Sequence, residues 1–135
     1  MKKLLFGTLF IAVLTLLVSS CGKYQDGPEL SLLPKKFRLA GTWTVEKYVD
    51  VNGNETQDLI NIEIKYEKDG TYSFKSNILS LNGTWKFDDT KENILTSYTI
   101  SVLTFTDQVK ILRLTNKELW VLDETSNTKT YYLKQ

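Results

Sequence analysis

The 135-residue sequence has no histidine. That removes Ser-His-Asp triads, Cys-His pairs and His-ligated metal sites in one step. It has a single cysteine, Cys21, so no disulfide can form within the chain and a packed core must stabilise a folded domain unaided. Proline is scarce: both copies, Pro28 and Pro34, fall near the start, and none interrupts the chain beyond them. A surplus of charge is missing too. With 17 Lys and Arg against 16 Asp and Glu, there is no basic excess of the kind that nucleic acid demands.

Chemistry-bearing patterns are equally thin. No glycine-rich phosphate loop occurs, and Asp69-Gly70 alone is a hairpin signal. The oxygen-bearing side chains between residues 52 and 58 lack the alternate acids and closing Glu of a calcium loop. Asp88 and Asp89 would point apart on a turn, and Glu63 and Glu67 would share the outer face of one strand with no cleft beside them. The sequence therefore argues against an enzyme, and no catalytic residue, metal or cofactor is expected.

What is present begins with a targeting pattern. Lys2 and Lys3 precede fifteen mostly apolar residues, 4 to 18. As a helix that run would rise roughly 22 Å, short of the roughly 30 Å hydrocarbon core, which fits a cleaved signal better than a permanent span. Val18-Ser19-Ser20-Cys21 then places small residues directly before the cysteine. This resembles a bacterial lipobox, in which cleavage precedes the cysteine and acyl chains such as palmitate are attached to it. At about 0.8 kcal/mol per buried methylene, several chains make release from the membrane negligible. Residues 1 to 20 are read as signal peptide, 21 to 38 as a lipidated tether and 39 to 135 as the domain. Without Lys2 and Lys3 the 17 basic residues fall to 15, a net charge of −1. In the tether, Leu30, Leu32, Leu33 and Phe37 are expected to dock on the domain, with a short turn of helix there.

From Leu39 onward period-two alternation recurs. Strands are predicted over residues 41–50, 60–67, 71–76, 81–88, 94–101, 109–115, 118–123 and 130–134, separated by polar turns, with weak helical periodicity only at 55–59. Ile60, Ile62, Ile64 and Tyr66 form the cleanest inward set. Eight short strands with hairpin-length turns point to an all-β, antiparallel up-and-down eight-stranded barrel, whose interior accommodates side chains or one small ligand and whose closure leaves no edges. Leu39-Ala-Gly-Thr-Trp43 recurs as Leu81-Asn-Gly-Thr-Trp85. The pair marks either a duplicated half-barrel or two chance strand openings.

The run from Leu30 to Trp43, Leu-Ser-Leu-Leu-Pro-Lys-Lys-Phe-Arg-Leu-Ala-Gly-Thr-Trp, a short way after the lipobox cysteine, resembles the start of lipocalin-like lipoproteins of the Bacteroidota. The Val51-Asn-Gly53 loop and the Tyr66-to-Tyr72 hairpin fit that likeness. The resemblance implies that Trp43 packs at the closed end of the barrel under a cation, from Lys134 or Arg38, and that the loop from 51 to 59 borders the open mouth. It also implies a small apolar ligand.

Trp43, Phe74, Trp85 and Phe87 are the candidate ligand-binding residues, while Trp120 and Tyr132 are expected to face outward. The expected function is a non-enzymatic, membrane-anchored binding module of the bacterial cell envelope, held by acylated Cys21, most simply at the outer membrane. Its partners would be membrane lipid and a small hydrophobic ligand. The alternative is an adaptor domain with a filled barrel that contacts an envelope protein.

Overall fold

The computed structural model describes residues 24–27 and 31–135. Cys21, the apolar run from 4 to 18 and Leu30 lie outside the described residues. A short helix, α1 (Lys35–Leu39), leads into nine strands: β1 (Gly41–Val49), β2 (Glu55–Thr56), β3 (Glu63–Tyr66), β4 (Thr71–Lys75), β5 (Ser80–Phe87), β6 (Asn93–Ile100), β7 (Leu103–Leu114), β8 (Glu118–Asp123) and β9 (Thr128–Lys134). Each of β3 to β8 pairs antiparallel with the next, β3 pairs with β1, and β9 returns to β1. This closes the eight-stranded barrel that the alternation predicts, with β2 as an extra strand on β1 where Tyr48 faces Thr56.

Local chemistry sets the turns. Gly70 has φ of 96°, which only glycine adopts freely, and the Asp69 carboxylate accepts the Thr71 N–H at 2.8 Å. Between β5 and β6, the Asp88 carboxylate accepts the N–H groups of Glu92 and Asn93 and the Thr90 hydroxyl. Partial burial opposes ionisation of Asp88, but these hydrogen bonds together hold its carboxyl well below the usual carboxylate range.

The β3–β4, β5–β6 and β7–β8 turns and the β9 terminus lie at one end, which is closed. There Leu39, Trp43, Ile94, Leu114 and Leu119 are fully buried. Burying a large apolar side chain in this way contributes about 1.5–3 kcal/mol. The Trp43 indole N–H donates to the Leu39 carbonyl at 2.8 Å, and the Arg38 guanidinium donates to the Leu114 carbonyl at 2.6 Å. Helix α1 therefore plugs this end with Arg38 and Leu39. Leu32, Leu33 and Phe37, expected to dock, are exposed instead: the helix turns its Arg38–Leu39 side inward and Phe37 outward, and Leu32 and Leu33 precede it. Tyr24 also packs into the core, donating to the Lys91 carbonyl at 3.0 Å, and Asp26 and Gly27 bond to the backbone of β7 at Leu112 and Leu114.

Four expectations change. Residues 55–59 hold the strand β2 and not a helical turn. The strand expected from Ile60 starts at Glu63, because the Asp58 carboxylate takes the N–H groups of Ile60 and Ile62 before the ladder begins. The strand expected over 109–115 starts at Leu103, and a bulge at Leu112 explains why its end is apolar on both faces. Residues 103–109 pair with β6 but have no ladder partner toward β8, which stops at Asp123. The closed barrel thus keeps an unpaired border along β7.

The repeated Gly-x-Trp occupies unlike places. In ring order a duplicated half-barrel would put the second copy on the fifth strand, β6, yet it lies on the fourth, β5. The glycines also serve different contacts. A Cβ on Gly41 would overlap the Lys134 side chain, whereas one on Gly83 would overlap the Ser97 carbonyl of β6.

Candidate functional site

Strand register decides which side chains reach the barrel interior. Trp43 opposite Ile64, Tyr66 opposite Tyr72, Ile64 opposite Phe74 and Tyr98 opposite Phe105 share the inner face. Toward the open end this face encloses a cavity of about 290 Å³. Ile64 and Tyr66 of β3, Tyr72 and Phe74 of β4, and Leu79 and Leu81 form one wall. Thr96 and Tyr98 of β6, Asp107 and Val109 of β7, Val121 of β8 and Tyr132 of β9 form the other.

The four sequence candidates separate. Phe74 lines the cavity. Trp85 lies toward the closed end, its indole edge-on to Tyr66 at 5.5 Å and its N–H donating to the Glu67 carbonyl. Phe87 packs behind it, perpendicular to Trp85 at 5.3 Å. Trp43 is the buried floor, and the Lys134 ammonium sits 4.9 Å from its ring centre. These two tryptophans and Phe87 form the base of the barrel rather than the wall of the cavity. Trp120 stays on the outer face, between Tyr131 and the Arg113 guanidinium. Tyr132, expected outside, points inward because it lies opposite Val45 and Leu119.

The tyrosines that replace those candidates are held protonated. Burial pushes the Tyr66 and Tyr132 hydroxyls far up. Burial, with the charges of Tyr98 and Asp107, pushes Tyr72 up to about 12. A hydrogen bond with Asp107 and then burial raise Tyr98. At neutral pH each hydroxyl can therefore both donate and accept. The lining is aromatic with a few placed polar groups, the composition common to small-molecule sites. Among the described residues no three His, Cys, Asp or Glu side chains gather where they could hold a metal ion.

The signal that could have found the wall was the spacing of Tyr66, Tyr72 and Phe74 around the Asp69-Gly70 turn. Two tyrosines flanking a hairpin by equal steps face each other across the strands. The loop from 51 to 59 does border the open end, where β1 stops.

No family model matches the chain, and no curated protein matches it. Solved structures do. A lipocalin-like protein from Bacteroides uniformis superposes with a TM-score of 0.59 at 15% identity, over 73% of this chain and 99% of that one. A DUF4847 family protein from Bacteroides vulgatus superposes with a TM-score of 0.51 at 14% identity, over 75% of this chain and 98% of that one. At such identities the likeness concerns the fold. The barrel is lipocalin-like, as the Gly-x-Trp opening and its surroundings suggest.

Proposed function

We propose that this lipocalin-like barrel serves a non-enzymatic binding module of the bacterial cell envelope, tethered to the membrane through acylated Cys21 and taking a small, largely apolar molecule into the barrel mouth. The cavity of about 290 Å³ with its aromatic walls carries the reading. A filled barrel would have no such space, and interiors close-pack unless something keeps them open. The lipobox-like Val18-Ser19-Ser20-Cys21 supports the tether.

Native mass spectrometry of the full-length chain from its own host is the test of the ligand. A co-purified small molecule is expected, and its displacement should change the fluorescence of Trp85, which touches the cavity wall through Tyr66. No bound mass, and no fluorescence response to a panel of lipids and aromatic compounds, would rule the module out. For the tether, Cys21→Ser should give unprocessed or soluble protein, and ordinary membrane partitioning of that variant would refute it.

An adaptor role has one observation in its favour. Ile78, Val102 and Leu103 are exposed at the open end, with Val102 at 88% and Leu103 at 62% of full exposure. Large apolar side chains exposed at one end of a barrel can serve as a contact surface. A stoichiometric protein partner in the same mass spectra, with the cavity empty, would favour that role.

A further inference from the structure

The inward face of β7 reads Leu103, Phe105, Asp107, Val109 and Ile111. Four are apolar and the middle one is an acid. A carboxylate at an inward barrel position breaks the alternation that builds the wall, and such breaks concentrate where a site is needed. Asp107 lies opposite Thr96, diagonal to Tyr98 on the same inner face, and remains solvated. Among the described residues lining the cavity it alone is charged, and none of them is Lys or Arg.

We propose that the cavity, taken as the binding site described above, receives a small monoamine: an aromatic or compact apolar body between the tyrosine rings and a cationic head against Asp107. The charge balance selects this class. A carboxylate or phosphate guest would face Asp107 with no cation to offset it. A neutral guest could offer the carboxylate only a neutral hydrogen bond, weaker than a charge-assisted one. An alkylammonium head donates to Asp107, finds acceptors in Thr96 and Tyr98, and gains from the tyrosine faces, which attract cations. Size narrows the class further. The cavity of about 290 Å³ stands at the lower limit of ligand pockets, about 300–1,000 Å³, so it suits one or two rings.

Three indoles of matched shape provide the test: tryptamine, neutral tryptophol and anionic indole-3-propionate, titrated calorimetrically into the full-length chain. Tryptamine should bind about tenfold or more tightly than tryptophol, the effect of one charge-assisted hydrogen bond, and indole-3-propionate should bind weakest. Asp107→Asn should remove the advantage of tryptamine over tryptophol. Equal affinities for the three compounds, or a preference that survives Asp107→Asn, would overturn the amine assignment while leaving the cavity reading intact. No binding by any of the three would also overturn the amine assignment, and the cavity reading would then stand or fall with the mass spectra. Thermal unfolding of Asp107→Asn at the wild-type temperature shows that the variant is folded. Should it unfold early, Asp107→Ser repeats the comparison.

Discussion

The Lys134 ammonium stands 4.9 Å from the centre of the Trp43 indole and donates a 2.8 Å hydrogen bond to the Arg38 carbonyl. One side chain from the last strand thereby fastens the first strand and the preceding helix. Gly41 makes the arrangement possible, since a Cβ there would overlap the lysine stem. Burial, aided by the Lys68 charge, lowers the Lys134 pKa, so the cation is held against a desolvation cost.

Lys134→Met keeps an unbranched apolar stem over the indole but removes the charge and the hydrogen bond. The expected loss is about 1–2 kcal/mol, combining a cation–π contact with one hydrogen bond. Urea unfolding followed by Trp fluorescence measures it. An unchanged midpoint would mean that the stem alone caps the ring.

Gly83→Ala should be more damaging. Its Cβ would overlap the Ser97 carbonyl in the paired strand, and backbone cannot yield as a side chain tip can. Overpacking of this kind costs about 1–3 kcal/mol. Gly53→Ala is the control. Nothing lies within 4 Å of its Cβ, so only the strain of φ at 84° is felt, about 1 kcal/mol. Calorimetric melting temperatures should rank wild type, then Gly53→Ala, then Gly83→Ala.

Acid should act through the β5–β6 turn. The folded-state pKa of Asp88 is depressed, so its stabilisation is fully present above the unfolded value of about 3.9 and is lost as pH falls toward the folded value. Stability should hold between pH 7 and 5 and decline below about pH 4. Asp50, Asp69 and Asp123, whose carboxyls are lowered mainly by hydrogen bonds within their own turns, add to the same decline. Asp88→Asn should lower the melting temperature at pH 7 and flatten its fall below pH 4. An equally steep acid slope in the variant would show that the Asp88 turn opens before it titrates.

Tyr24→Ala should destabilise the barrel although residue 24 precedes the first strand by many positions. It removes a buried ring, a hydrogen bond to Lys91 and the face over which Lys35 sits at 4.2 Å. Truncating a buried aromatic costs about 3–5 kcal/mol when it is fully enclosed. Chemical denaturation would measure the loss, and limited proteolysis would show whether residues 24–27 peel from β7 first. A wild-type midpoint would mean that this segment contributes nothing to the fold.

Much of the fold was legible because alternation is strongest where one face is buried and the other is wet. Ile64, Tyr66, Tyr72 and Trp85 all follow that rule, and every predicted strand has its counterpart. The failures share a cause. Tyr131, Tyr132 and Leu133 are apolar in succession, so periodicity cannot choose a face, and only pairing with Val45 and Leu119 turns Tyr132 inward. Asp107 was hidden by its neighbours. Thr104, Thr106 and Gln108 are outward and polar, so an inward acid among them makes the segment look like a loop. Tyr24 sits beside glycines and a proline, which speak for an irregular chain and say nothing about docking. The cavity itself is a product of closure, which no local pattern encodes.

The unpaired stretch of β7 changes what kind of opening the interior has. From Val109, level with the end of β8, to Leu103 the strand rises roughly 20 Å further, at about 3.3 Å per residue. Instead of a rim of uniform height, the wall has a tall flap beside a vertical notch. The height of the opening is set by the β6–β7 ribbon on one side and by the end of β8 on the other.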